Sequence, residues 1–313
     1  MTCIGIDLGG TKVLAGSVDA GRVGRTVKRP TPTGGPDEVI RVLAEVVEEL
    51  GGADRIGVGT PGVVDPVTGL VSNAPNLRGW DRPVPLAAGL AAATGVALVR
   101  VDNDVNVGLA GEWSAGSVVG ADDVLGVFVG TGVGGGLVLD GRLRRGPRGI
   151  TGEIGHVTVV PGGRECACGG RGHLEAYAGR AGIEAEARRR HAAGAATALV
   201  DLAGEGPMKS GVIAKALAAG DALAESLVSD AVTALGLGIA SALTLLDVPV
   251  VVLGGGVVDK LGGPFVGRVA AAVQSRILAG SAVEVRPAAL GDHAGIVGAA
   301  ALVEPGSPVG LAG

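Results

Sequence analysis

The 313 residues include 59 glycines, 47% apolar side chains but only 2% aromatics, and a net charge of −5. A chain of this length holds two domains of ordinary size or one large one, with an aliphatic core of Val, Leu, Ile and Ala. No G-x-y period runs through the glycines, which excludes collagen, and no long lysine or arginine block suggests a nucleic-acid surface.

The chain opens on a strand, Cys3 to Asp7, with no basic, apolar and cleavage-site segment of the signal-peptide kind. A glycine turn leads to a second strand, Lys12 to Asp19. Glycine clusters beside apolar runs point to tight turns and close backbone approaches to ligands. A helix is expected from 37 to 50, with Val39, Leu43, Val46 and Val47 on one face. A short strand, 55–59, ends at Thr60-Pro61-Gly62, and Asp65-Pro66 with Thr68-Gly69 marks a hairpin-like turn. A helix over 82–94, a strand over 97–101 and a helix from Asn103 or Asp104 to Ala115 follow. The pattern then restarts with a strand over 123–129, a glycine turn and a strand over 136–139. Arg142, Arg144, Arg145 and Arg148 read as a solvated hairpin and loop. Residues 149–175 are loop-rich. Residues 176–219 are alanine-rich and helical, with a break around Gly204–Pro207. A long helix covers 221–246. Its most apolar part, 231–246, falls short of the roughly 20 residues of a bilayer span, so it is expected to be a buried helix. A strand over 250–253 runs into Gly254-Gly255-Gly256; a helix over 265–279, a strand over 283–287 and a helix over 294–303 complete the pattern. The Pro/Gly-rich tail, 304–313, is expected to be disordered.

A weak internal repeat is visible. The segment from Ile4 to Gly16 and the segment from Val127 to Leu139 are both strand, glycine-rich turn, strand. Two such halves facing each other would place both turns at one cleft.

In the first turn, Asp7-Leu-Gly9-Gly10-Thr11-Lys12, the glycines let backbone amides approach an anion, Thr11 adds a hydroxyl donor, and Asp7 is suited to Mg²⁺. The alternative is a plain hairpin turn. The second turn, Gly130-Thr131-Gly132-Val-Gly134-Gly-Gly136, formally contains G-x-G-x-x-G, but a strand and not a helix follows it. That favours a phosphate-binding hairpin over a dinucleotide fold. Gly254 and Gly255 would let a nucleoside lie close to the backbone, although a strand-to-helix turn explains them equally well. In Asp102-Asn103-Asp104, between strand and helix, an Asp is commonly only an N-cap. Between two phosphate hairpins, one carboxylate becomes a candidate general base.

The densest cluster is Glu153-Ile-Gly-His156 with Cys166-Ala-Cys168-Gly-Gly-Arg-Gly-His173-Leu-Glu175. Two thiols and two imidazoles within eighteen residues form a complete Cys₂His₂ zinc set, though not at zinc-finger spacing. With an odd cysteine count, a metal in a reducing compartment is expected and not a disulfide framework, and the expected location is the cytoplasm. Glu153 and Glu175 are better placed to accept hydrogen bonds from sugar hydroxyls than to bind zinc.

Together these motifs resemble the ROK family of sugar kinases and repressors, within the actin-like/hexokinase superfamily, over about residues 3–303. Asp-Leu-Gly-Gly-Thr-Lys resembles the first phosphate motif, Gly-Thr-Gly-Val-Gly-Gly-Gly the second, Gly254–Gly256 the adenosine-side motif, and 290–300 the C-terminal signature. Thr60-Pro-Gly, Ala74–Trp80 and Asn103-Asp104 match sugar-side segments. The resemblance implies an α/β actin-like ATPase (ribonuclease H-like) fold. Its two domains would surround a nucleotide and sugar cleft: 1–116 plus 296–313, and 117–295 with the zinc-type loop 153–175. It implies ATP-dependent phosphorylation of a free hexose at the 6-hydroxyl, glucose first, with N-acetylglucosamine or N-acetylmannosamine as alternatives and a non-catalytic sugar-sensing regulator as the rival class. The first phosphate strand begins at residue 3, where repressors carry a DNA-binding segment. Asp104 would be the base, and Asn76, Asn103, Asp104, Glu153, His156 and Glu175 would hold the sugar. Asp7, Gly9, Gly10, Thr11, Lys12, Gly130, Thr131, Gly132, Gly134, Gly254 and Gly255 would bind Mg²⁺-ATP. His156, Cys166, Cys168 and His173 would hold a structural zinc, His156 using one ring nitrogen for the metal and the other towards the sugar. The family motif usually ends in Cys where His173 stands. Domain closure on the sugar and a homodimer are further expectations.

Overall fold

The computed structural model describes residues 2–307 and 309. Its first sheet is built from β1 (Cys3–Leu8), β2 (Lys12–Asp19) and β3 (Arg22–Pro30), followed by α1 (Pro36–Glu49) and β4 (Arg55–Thr60). A small sheet of β5 (Val63–Asp65), β6 (Leu70–Ser72) and β7 (Val84–Pro85) comes next, then α2 (Leu86–Thr94), β8 (Leu98–Asn103) and α3 (Asp104–Ala115). The main sheet has the order β3-β2-β1-β4-β8. Its first three strands are antiparallel neighbours, and β1, β4 and β8 are parallel.

The second half repeats this plan. It contains β9 (Val124–Val129), β10 (Val133–Leu139) and β11 (Arg142–Arg144), then α4 (Glu175–Ala178), α5 (Arg180–Ala192), α6 (Ala198–Ala203), α7 (Ser210–Ala218) and α8 (Ala222–Leu246). After these come β12 (Val250–Gly254), α9 (Gly256–Gln274), β13 (Glu284–Pro287) and α10 (Ala294–Ala301). The sheet order is β11-β10-β9-β12-β13, strand for strand the order of the first sheet, with β9, β12 and β13 parallel. The weak sequence repeat is thus a repeat of topology, and the fold is the α/β actin-like ATPase fold.

Packing divides the chain into two units: Met1–Asp123, Gly136–Thr151 and Ala289–Gly313 in one, Val124–Gly135 and Gly152–Ala288 in the other. Compared with the expected 1–116 plus 296–313, the first unit also takes in 117–123, 136–151 and 289–295. Two buried carboxylates account for much of this. Glu112, wholly buried on α3, accepts the amides of Ala289 at 3.0 Å and Leu290 at 2.8 Å, as well as that of Ser117 at 2.9 Å. Asp102, at the end of β8, pairs with Arg145 at 2.6 Å. Leaving either carboxylate without partners would expose it to the full penalty of burial, so both segments stay with the first unit.

Several elements differ from the sequence expectation. The strand β3 was not foreseen because only Val27 of its nine residues is fully buried, so it lacks an alternating pattern; it is a charged sheet edge. The helix expected from 82 begins at Leu86, since Pro83 and Pro85 push Arg82 and Val84 out of helical geometry. The helix expected from 265 begins at Gly256 and continues across a break at Gly262, beside Pro264. Helix α8 has 25 residues and is long and apolar enough to span a bilayer, contrary to the shorter stretch read from sequence. Most of its apolar side chains, Leu227, Val228, Leu235 and Ile239 among them, are nevertheless buried, whereas Leu245 near its end is exposed, and α8 packs on α9, α4 and α5. In the tail, expected to be disordered, Val309 is buried and its carbonyl accepts Arg145 Nη2 at 3.2 Å. Residues 308 and 310–313 lie outside the described residues.

Many glycines serve packing and not ligands. Helix α10 lies on β1 and β4 and against α3. A Cβ on Gly298 would be driven into the carbonyl of Val107, and one on Gly57 into the carbonyl of Ala299. Gly298→Ala is therefore expected to destabilise by at least about 1–3 kcal/mol, the usual cost of overpacking. An unchanged denaturation midpoint in urea would show that α10 does not depend on this close seat.

Candidate active site

The first glycine turn joins β1 to β2. It is closed by the Gly9 amide donating to the Lys12 carbonyl at 2.9 Å, and Thr31 Oγ1 donates to the Gly9 carbonyl at 2.6 Å. Asp7, at the end of β1, is partly buried and packs against Gly295 on α10. Burial pushes its carboxyl up to about 6; the charges of Asp104 and Asp292 add to the effect, and Lys12 opposes it. Lys12 Nζ lies 3.4 Å from Asp292 Oδ1. Residues 7, 12, 104 and 292 thus share one electrostatic neighbourhood. Asp292 was not singled out from sequence, although it stands in the quoted Leu290-Gly-Asp-His segment, as a polar insertion before an apolar helix. Exposed Asn76 lies against the same turn, its Cβ 3.0 Å from where a side chain on Gly10 would begin.

Helix α3 is capped by Asn103, not by an aspartate. Asn103 Oδ1 accepts the amides of Val105 at 2.9 Å and Asn106 at 3.3 Å, while its Nδ2 donates to the Gly62 carbonyl at 3.0 Å. The Asn103 side chain thereby fastens the Thr60-Pro61-Gly62 segment to the helix start and retains one amide hydrogen for a ligand. Asp104 is the first helical residue; its Oδ1 accepts the Val105 amide at 2.9 Å.

In the second unit, the glycine turn between β9 and β10 is closed by the Gly130 amide donating to the Gly132 carbonyl at 2.9 Å. It is clamped from two sides. The Arg180 and Ala181 amides, at the start of α5, donate to the carbonyls of Gly130 and Thr131, both at 3.0 Å. The Val133 amide donates to Glu175 Oε2 at 2.9 Å. The third glycine motif ends β12. Gly255 has φ of 94° and lies so near the Val129 backbone that any side chain would clash. Gly256 faces Ser210 at the start of α7. Gly134 lies within β10.

The loop after residue 152 collects the remaining residues. Glu153 precedes a single 3₁₀ turn, Ile154–His156, and its Oε2 lies 3.6 Å from His156 Nε2. The other ring nitrogen, Nδ1, faces Cys166 Sγ at 3.9 Å. His173 Nδ1 lies 3.2 Å from Cys168 Sγ. One ligand atom from each of His156, Cys166, Cys168 and His173 lies within 4.8 Å of the others. The Cys166 amide donates to the Gly170 carbonyl and the Gly169 amide to the Cys166 carbonyl, both at 2.9 Å, making a tight knuckle. Cys166 is buried, and burial pushes its thiol up to about 11. A soft, borderline cation that takes thiolate and imidazole tetrahedrally fits this donor set. Glu175 sits between the knuckle and the second glycine turn: Cys166 Sγ donates to its Oε1 at 3.6 Å while Oε2 holds Val133.

The loop is braced from behind by Arg164, whose guanidinium lies 4.5 Å from the centre of the Tyr177 ring and pairs with Asp230 on α8 and Glu186 on α5. Hydrogen bonds from Arg189 lead the interactions that hold Glu186 down at about 2, with Arg190 and Arg164 adding and burial opposing. Arg164, Arg180 and Glu112 were not picked out from sequence, because each acts on partners distant along the chain. A groove of about 1000 Å³ beside α1 and α2 is lined by residues such as Ile40, Ala44, Gly89 and Ala93 and contains none of the site residues above. Its size alone does not identify it as the chemical site.

The ROK family model matches residues 3–305. This chain belongs to the ROK family. It is 34% identical over 311 residues to the glucokinase of Thermotoga maritima, covering 96% of each chain. The N-acetylmannosamine kinase of Escherichia coli O127:H6 is also 34% identical, but over 211 residues, 66% of this chain. Among solved structures, the ROK hexokinase from Thermus thermophilus superposes with a TM-score of 0.81 at 37% identity, covering 96% of this chain and 97% of its own. A ROK family glucokinase from Streptomyces griseus, in complex with glucose and AMPPNP, superposes with a TM-score of 0.84 at 34% identity, covering 96% and 99%.

Proposed function

We propose that this ROK protein is an ATP-dependent hexose kinase that phosphorylates glucose on its 6-hydroxyl. The observation that carries the reading is the likeness, over nearly the whole chain, to a glucokinase solved with glucose and an ATP analogue. The glucokinase match covers 96% of this chain and the N-acetylmannosamine kinase match only 66%, which favours glucose over the acetamido sugars. A non-catalytic regulator is disfavoured because this chain keeps Asp104 and the glycines of both phosphate turns.

In this reading the glycine turns, with Thr11, Lys12 and Thr131, cradle the phosphates, Asp7 supports Mg²⁺, and Gly254 and Gly255 lie beside the nucleoside. Glu153, His156 and Glu175, with Asn76 and Asn103, hold the sugar hydroxyls. Asp104 accepts the proton of the attacking hydroxyl as its oxygen bonds the γ-phosphorus; the bond from that phosphorus to the β–γ bridging oxygen breaks, and ADP leaves. His156, Cys166, Cys168 and His173 would hold zinc, which would fix the sugar loop and the His156 tautomer. His156 Nδ1 faces the thiols and Nε2 faces Glu153, which supports its double role. A homodimer in the cytoplasm completes the proposal.

A panel of glucose, mannose, N-acetylglucosamine and N-acetylmannosamine, assayed by ADP release, tests the function. Glucose is expected to give the highest kcat/KM. A higher value for an acetamido sugar would overturn the substrate, and no ADP release with any sugar would overturn the kinase. Cys168→Ser is expected to lose bound zinc and to raise the KM for sugar more than the KM for ATP. Metal analysis of the purified wild-type protein is the check: a metal-free, fully active enzyme would sink the zinc site.

A further inference from the structure

Arg180 lies five residues beyond Glu175, at the head of the thirteen-residue α5. Its backbone amide is spent on the Gly130 carbonyl, so the helix start is already occupied by the glycine turn. The side chain reaches back over the same turn. Nη2 donates to Thr131 Oγ1 at 2.7 Å, and Nη1 donates to the Met208 carbonyl. Met208 is wholly buried and lies two residues before Ser210, which faces Gly256 in the third glycine motif. The guanidinium therefore bridges the two glycine motifs of this unit, from the phosphate turn to the segment beside the nucleoside turn.

Its charge has no carboxylate partner among the described residues. The carboxylate of Glu184 on α5, which accepts the Met208 amide at 2.9 Å, is itself paired with Arg188 at 2.9 Å. Two of the five guanidinium N–H groups are used, both by neutral oxygens, and Thr131 is exposed. A half-exposed cation fixed on a glycine turn by a hydroxyl and a carbonyl is preorganised for an anion, since its remaining N–H groups can meet a phosphate oxygen of opposite charge while the two neutral oxygens keep it in place.

We propose that Arg180 recognises the polyphosphate of the bound nucleotide, its guanidinium bonding a β- or γ-phosphate oxygen while Thr131 and Met208 hold it in position. The proposal rests on the kinase reading. It assigns a cationic phosphate contact to the second unit, where the turn otherwise offers only amides and a hydroxyl.

The test is calorimetric binding of AMP, ADP and AMPPNP to the full-length wild type, Arg180→Met and Arg180→Lys, with glucose binding measured alongside. For Arg180→Met, AMPPNP affinity is expected to fall at least about tenfold, while AMP and glucose affinities change less than about threefold. Arg180→Lys is expected to recover part of the AMPPNP affinity, because it restores the charge without the fork. If AMP and AMPPNP weaken by the same factor, Arg180 only braces the Met208 segment and the proposal is overturned. An unaltered AMPPNP affinity overturns it equally. A wild type that binds no adenine nucleotide at all would overturn the kinase reading itself, an outcome distinct from either of these.

Discussion

Asp104→Asn is expected to lower kcat by about 10²–10⁴-fold, the usual contribution of a positioned general base, while leaving glucose and ATP affinity within a few-fold. The substitution is nearly isosteric, and the geometry of α3 explains why it should not disturb the fold. The capping hydrogen bonds to Val105 and Asn106 come from Asn103. Asp104 follows the cap and is not needed to make it. The variant thus removes charge and basicity at one point of the site. Steady-state kinetics, with glucose binding measured by calorimetry, separates the two effects. Normal turnover would mean that another group takes the proton; lost glucose binding would mean that Asp104 mainly holds the sugar.

Asp7→Asn is expected to make the unliganded protein more stable and the enzyme much less active. Asp7 titrates at about 6 in the fold against an ordinary value of 3.8, with burial as the leading cause. Between these values the folded chain binds more protons than the unfolded one. Stability therefore falls as pH rises from about 4 to about 6, and the full penalty persists above that. At about 1.4 kcal/mol per unit, removing the carboxylate should stabilise the protein by about 2–3 kcal/mol at pH 8 and by almost nothing below pH 4. Turnover should fall at least about tenfold, because the same carboxylate is the proposed support for Mg²⁺. Thermal unfolding at pH 8 and pH 4, set beside kinetics at saturating Mg²⁺-ATP, tests both halves. A variant no more stable than wild type at pH 8 would show that Asp7 is ionised without strain in the free protein.

Such a trade is common at functional sites, where a charge is retained for a ligand at a cost to the empty fold. The neighbours of Asp7 fit this account. Asp104 and Asp292 press its carboxyl upward, and Lys12 counters them. A divalent cation would reverse this balance on binding, which gives the nucleotide complex a stability the free chain lacks.

The sequence carried most of what is local. The glycine turns at 9–10 and 130–136, the four zinc-type donors and the alternating apolar strands were all legible, because their chemistry resides in residue type and short spacing. Local rules also explain two boundaries read wrongly: Pro83 and Pro85 delay α2, and Gly262 beside Pro264 hides the first part of α9. What could not be read was set by pairing across long stretches of chain. Glu112 reaches residues 289–290, Arg145 reaches Asp102 and Val309, and Arg180 reaches Thr131 and Met208. The same holds for Asp104. From its neighbours in sequence it is a helix cap; the fold gives that task to Asn103 and sets Asp104 in one electrostatic field with Asp7. Sequence alone determined which groups are available for phosphoryl transfer and metal binding. Tertiary structure decided which are buried, which are already bonded and which keep an uncompensated charge, because desolvation and charge pairing depend on distances in space and not on separation along the chain.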